Sequence, residues 1–250
     1  MISEPIVFLG PTLPVAQARE ILRADYRPPA AQGDVWRAVA DNPIAIAVVD
    51  GLFERVPAVW HKEILWAMAQ GIPVFGAASM GALRAAELAS FGMIGVGVVF
   101  EQFHHGTLNA DDEVAIAHAG SENGYRPLSE AMVNVRATLQ SAEKAGVIAP
   151  ETACILLAVA RSIHFAERTF ARILSDERRR SLPAAELAAL SAWLPLGRVD
   201  QKRLDAQELL HDIGRRIVDG LPRKPPRFHF EHTDAWEATT RLLRSGDGGS

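Results

Sequence analysis

Residues 72–87, IPVFGAASMGALRAAE, form an apolar run that ends in small residues and passes directly into a helical pattern. Two earlier segments repeat this arrangement. PIVFLG (5–10) leads into LPVAQAREILR, and PIAIAVVDG (43–51) leads into VPAVWHKEILWAMAQG. Continuous runs rich in Val and Ile denote strands buried on both faces. Their alternation with helices denotes βαβ units and a parallel sheet. Gly71 reads as a helix C-cap and Pro57 as part of the first turn of the second helix. MIGVGVVF (93–100) and EVAIAHA (113–119) are further candidate strands, the second with Val114, Ile116 and His118 on one face.

Beyond residue 126 the pattern becomes helical. PLSEAMVNVRATLQSAEKAG stops at Gly146, and APETACILLAVARSIHFAERTFARIL reads as one longer helix. AAELAALSAWL and DAQELLHDIGRRIVDG continue the series, RKPPRFHF interrupts it with two prolines, and DAWEATTRLLR closes it. The expected fold is α/β. A mostly parallel sheet with flanking helices occupies 1–125, a helical region, either sharing that core or packed apart from it, occupies 126–245, and 246–250 form a disordered tail.

Hydrophobic residues make up 48% of the chain, the net charge is −4, and no long basic block occurs, which argues against a general nucleic-acid binder. The start of the chain lacks the pattern of a signal peptide, and no apolar run approaches the ~20 residues a membrane span needs. The single cysteine, Cys154, excludes an internal disulfide and reads as a small buried hydrophobe. A soluble, cytoplasmic protein is expected. The chain has no GxGxxG or GxxxxGK[ST] motif and no close-spaced zinc pattern, so neither a nucleotide cofactor nor a structural metal is expected.

Ligands of open parallel sheets bind beyond the carboxyl ends of the strands. That rule selects Gly10-Pro11-Thr12, Asp50-Gly51 and Ala78-Ser79-Met80, joined by His118 if its segment is also a parallel strand. Ala77-Ala78-Ser79-Met80-Gly81 differs from the G-x-S-x-G nucleophile elbow by one methyl group. A serine on such a turn stands clear of the sheet, and the helix start aims free N–H groups at a developing oxyanion. Met80 N–H is one expected donor and Thr12 another. Serine is also a favoured N-cap, and Ala/Gly runs let a helix pack closely on a sheet, so a structural role fits the pentapeptide equally well. ASMGA also resembles the serine signature of Clp-type proteases, with Ser79 at the nucleophile position.

A serine nucleophile needs a proton acceptor. His118, His61, His104 and His105 are candidates, and a Ser–Lys pair through Lys62 is an alternative, although Lys62 and Glu63 read more simply as solvated. Asp111, Asp112 and Glu113 lie too far along a strand, at roughly 3.3 Å per residue, to orient His118, which leaves Asp50 for that task. Arg84 either pairs with Glu87 or binds a substrate carboxylate.

DGLFERVPAVWHKEILWAMAQGIPVFGAASMGALRAAEL, DDEVAIAHAGSENGYRPLSEAMVNVRATL and FLGPTLPVAQA together resemble the TfuA-like family over about residues 5–145. The matching positions include Asp50, Gly51, His61, Lys62, Ser79, Arg84, Asp112, Glu113, His118 and Arg126, but not His104 or His105. The resemblance implies partnership with a YcaO-type enzyme that installs backbone thioamides in a peptide or protein. It also implies a task in supplying sulfide, through cleavage of a thiocarboxylated, ubiquitin-fold sulfur-carrier protein. On this reading Ser79 is the nucleophile, His118 the base with His61 in reserve, and Asp50 orients or binds. Thr12, Gly51, Lys62, Met80, Arg84, Asp112, Glu113 and Arg126 form the substrate side. Two rivals stand beside it: a non-catalytic adaptor between YcaO and its peptide or carrier, and a serine hydrolase of unrelated small substrates.

Overall fold

The computed structural model describes residues 4–52, 56–177, 181–221 and 228–246. Five parallel strands form one sheet in the order β2-β1-β3-β4-β5. They are β1 (Ile6–Phe8), β2 (Asp25–Arg27), β3 (Ile46–Val48), β4 (Val74–Ala77) and β5 (Ile94–Val96). The helices of this half are α1 (Val15–Ile21), α2 (Asp34–Ala40), α3 (His61–Ala69), α4 (Met80–Leu88) and α5 (Val98–His104). A helical region follows: α6 (Met132–Lys144), α7 (Pro150–Ser162), α8 (Phe170–Ser175), α9 (Ala184–Gly197), α10 (Gln201–Val218) and α11 (Asp234–Gly246). Among the described residues no helix is long and apolar enough to cross a membrane.

The pleat of the three central strands divides their side chains between two cores. Ile6, Phe8, Ile46, Val48 and Val74 face α2–α5, where they meet Val35, Ile64, Ala85 and Val99. Val7, Ala47, Phe75 and Ala77 face the opposite layer, which holds Ala18 of α1 and Ala206, Leu209, Leu210 and Ile213 of α10. Burial on both faces is what the unbroken apolar runs require. A third cluster, centred on Leu139, Leu156, Ile173 and Leu190, joins α6–α9. Helix α10 therefore returns from the helical region to cover the sheet.

Several local features differ from the sequence reading. Helix α3 begins at His61, so Pro57 lies before it rather than in its first turn. Gly71 does follow α3 in the left-handed region, at φ 75°. Glu63, expected to be solvated, is buried and accepts from the amides of Gly33, Val35, Trp36 and Trp60, joining the starts of α2 and α3. The 93–100 segment splits into β5 and α5 around Gly97. The 113–119 segment is not a strand: Asp111–Glu113 form a 3-10 turn, and His118 makes one isolated bridge to Pro127. Two arginines account for this. Arg136 grips Glu113 with two bonds of 2.9 and 2.6 Å, and buried Arg168 reaches Asp112 Oδ2 at 3.1 Å. The same Arg168 donates to the carbonyls of Ala160 and Ile163, which ends α7 where one long helix was expected. Cys154 is exposed rather than buried. The expected tail at 246–250 lies outside the described residues except for Gly246, the last residue of α11.

Candidate active site at the carboxyl edge of the sheet

The strand order reverses direction at β1, because β2 lies on one side of it and β3 on the other. The crevice beyond such a reversal is where open α/β sheets hold their ligands. Here it is closed at the back by Asp50, which is 2% exposed. Its Oδ2 accepts from Gly10 N at 2.9 Å and Thr12 N at 3.1 Å, and its Oδ1 from Thr12 Oγ1 at 2.6 Å. Asp50 thus shapes the loop after β1, and the Thr12 amide, an expected oxyanion donor, is already spent on it.

The next loop along carries Ser79. Ala78 adopts φ 66°, an uncommon conformation for alanine, and Ser79 N donates to Ala77 O at 2.7 Å. The chain then enters α4 at Met80. The small residues of this stretch are required by contact: a Cβ on Gly81 would stand 1.7 Å from Val48 O, and one on Gly76 2.1 Å from Gly81 O. Helix α4 can sit this close to the sheet only with glycine at both positions.

Ser79 occupies the N-cap position of α4, yet its side chain makes no capping bond. Among the described residues its hydroxyl has no hydrogen-bond partner at all. The N-cap explanation for this serine therefore lacks its bond. The Met80 amide is one of the helix-start donors that no intrahelical carbonyl can satisfy. Ser79 lines a cavity of about 60 Å³ with Pro11, Asp50, Gly51, His118 and Lys202. His118 is half-buried, its ring 5.7 Å from Tyr125, with Nδ1 2.8 Å from Ala119 O. A carbonyl only accepts, so Nδ1 carries the proton and a neutral ring keeps its lone pair on Nε2.

Lys202 did not emerge from the sequence reading. It is 3% exposed, and its Nζ donates to Val114 O at 2.9 Å. Burial pushes its ammonium below the ordinary lysine range, against the opposing pull of Asp50 and Asp200. One signal was available. Lys202, Ala206, Leu209 and Ile213 fall at spacings of four, three and four on the buried face of α10. A lysine on such a stripe is buried unless its stem carries the charge out to solvent.

The remaining candidates lie elsewhere. His61 Nε2 is 2.7 Å from Glu87 Oε2, and Arg84 reaches the same oxygen at 2.7 Å while donating from Nε to Val59 O. Burial alone would raise the Glu87 carboxyl, but the bonds from His61 and Arg84 outweigh it and hold the carboxyl below its usual range. Lys62 Nζ donates to Thr233 Oγ1 and stands over the Phe230 ring. Asp112 and Glu113 are held by Arg168 and Arg136. Arg126 is exposed and joins the cavity wall only indirectly, its carbonyl accepting from Ala119 N. Gly51 and Met80 touch each other: a Cβ on Gly51 would stand 2.7 Å from Met80 Cγ. Of the twelve residues singled out, the structure brings Asp50, Gly51, Ser79 and His118 into one cavity, with Thr12 and Met80 beside them. Among the described residues no group of three His, Cys, Asp or Glu side chains is arranged to hold a metal ion.

Comparison with known proteins adds one match. The model of the family described as TfuA-like protein matches residues 50–169, which include Asp50, Ser79 and His118 but not Lys202. A search of curated proteins finds no match to the chain.

Proposed function

Residues 50–169 belong to the TfuA-like family, a family associated with YcaO-dependent thioamide formation, and from that premise we propose that the protein is an acyl-transfer enzyme acting through Ser79. Its substrate on this reading is the thiocarboxylate of a ubiquitin-fold sulfur carrier, and its product is sulfide for a YcaO-type partner. The observation that carries the reading is the uncommitted Ser79 hydroxyl, set at a helix start in a cavity shared with His118 and Lys202.

The steps follow from the groups present. Ser79 Oγ attacks the carbonyl carbon of R–CO–S⁻ as His118 Nε2 takes its proton. Negative charge gathers on the carbonyl oxygen, where the Met80 amide and the start of α4 face it. The C–S bond then breaks as His118 hands that proton to the sulfur, hydrosulfide leaves, and Ser79 is left acylated beside a neutral imidazole. Water, deprotonated by His118, then attacks the ester, and His118 returns that proton to Ser79 Oγ as the C–O bond breaks, releasing R–COOH and restoring the serine. The proton on the sulfur makes hydrosulfide, a good leaving group, out of the thiocarboxylate.

The test is sulfide release from a thiocarboxylated carrier, run beside labelling by a fluorophosphonate. Ser79→Ala is expected to abolish both. Full sulfide release by a folded Ser79→Ala protein overturns the reading. One observation favours an adaptor instead: among the described residues Ser79 Oγ has no hydrogen bond to either base of its cavity. Catalytic hydrogen bonds often tighten only in the substrate complex, so the missing bond is compatible with catalysis as well. Sulfide release that proceeds without this protein would favour the adaptor.

A further inference from the structure

We propose that Lys202 is the anion anchor of the Ser79 cavity, the residue that selects a negatively charged acyl terminus. The inference rests on Ser79 marking the reacting end of the cavity, and it assigns a role to a residue outside the matched family stretch.

Its position is the first support. Lys202 lines the 60 Å³ cavity of Ser79 and also a second cavity of about 390 Å³, which shares Pro11 and Ile116 with the first. It therefore borders both spaces, and it is the one charged residue common to their walls among the described residues.

The second support is what the ammonium leaves unused. Other buried charged groups are fully engaged. Glu113 is held twice by Arg136, Arg168 donates to Asp112, Ala160 and Ile163, and Glu63 accepts from several amides. An ammonium has three donors, and among the described residues Lys202 Nζ makes one hydrogen bond, to Val114 O. The nearby Asp50 carboxylate is occupied by Gly10 and Thr12. A buried cation with donors to spare is costly unless an anion arrives to use them. Among the described residues no other lysine or arginine lines the first cavity: Arg84 and Lys62 are engaged outside it, and Arg198, in the second cavity, is paired with Glu130.

The third support is electrostatic. Asp50 from the end of β3, Asp200 before α10 and His118 from the 114–120 loop are the titratable groups around Lys202, with Glu130 and Arg198 further along the wide cavity. Burial disfavours its charge, and a bound anion would favour it. Anion affinity should therefore weaken as pH rises toward the alkaline range, and Lys202→Met should remove that dependence.

The experiment uses thioacetate as the anionic probe and acetamide as its neutral counterpart, on the full chain. Two readouts are taken: protection of Ser79 from a neutral fluorophosphonate, and the shift in melting temperature the probe produces. Loss of a charge-assisted anchor should weaken thioacetate by about 10- to 100-fold in Lys202→Met, with Lys202→Arg retaining most of the affinity. Acetamide should compete equally in all three proteins. Equal thioacetate affinity in wild type and a folded Lys202→Met protein overturns the proposal. So does a collapse of uncompeted labelling in Lys202→Met with thioacetate affinity intact, which would make Lys202 the proton acceptor. If wild-type Ser79 resists labelling while thioacetate still shifts the melting temperature through Lys202, the serine reading fails and the anchor stands. Should Lys202→Met not fold, the Lys202→Gln and Lys202→Arg pair carries the same comparison.

Discussion

Two polar clusters flank α4, one at its start and one near its end. At the start, Ser79 shares a cavity with His118 and Lys202, and its hydroxyl has no partner among the described residues. Near the end, Arg84 and Glu87 meet His61 of α3 in a closed set of bonds on partly exposed side chains. Both contain a histidine, and both were candidates from sequence. The difference is commitment. In the outer cluster Glu87 accepts from both His61 and Arg84, so the set neutralises itself. In the inner one a hydroxyl, an imidazole lone pair and two ammonium donors face shared space. Groups left unsatisfied in a confined site are those available to a substrate.

The sharpest way to break this contrast is Ser79→Ala. Sulfide release should fall by roughly 10⁴-fold or more, since removing a nucleophile leaves only binding and oxyanion stabilisation. His118→Ala comes next, with an expected fall of about 10²- to 10⁴-fold in the same assay, the usual range for general-base loss. A fall as large from His61→Ala would reverse the roles given to the two clusters.

Asp50→Asn tests the wall behind the inner cluster. It removes a buried charge that holds Gly10 and Thr12, so denaturant unfolding should show a loss of about 2–3 kcal/mol. Activity should fall with it as the loop after β1 shifts.

His61→Ala should have the smallest effect: sulfide release within about threefold of wild type, and less than about 1 kcal/mol of stability, as for other exposed pairs. Its signature is the pH dependence. Glu87 titrates below its ordinary value in the folded chain. Its contribution is therefore present above the unfolded carboxyl value and is lost as pH falls through the lower folded one. His61→Ala should shrink that acid-side loss, which melting curves taken from neutral to acidic pH would detect.

The central strands were legible because burial on both faces leaves an unmistakable signal: β1, β3 and β4 are unbroken apolar runs. β2 escaped notice because its three residues, Asp25–Arg27, are polar and lie at the sheet edge. Helix α2 carries a weak local signal as well, because its start is completed by Glu63, 28 residues beyond Val35. The 113–119 segment misled for a different reason. Its alternation is that of a strand, but Arg136 and Arg168, supplied from distant helices, hold its start in a turn. Within the site, Ser79 and Asp50 were visible as polar residues ending apolar runs. Lys202, beside Arg203 and Asp205, looks like part of a solvated helix face until α10 is placed on the sheet.

The sequence by itself determined the layered α/β frame and the turn that carries Ser79. Hydrophobic periodicity and glycine placement are local, and they specify local structure whatever lies around them. Only the tertiary structure decided which charges are spent and which are free. That depends on contacts between residues such as Lys202 and Val114, 88 positions apart. Burial makes those contacts matter, because a charge removed from water must find its partner within the fold or wait for one from outside.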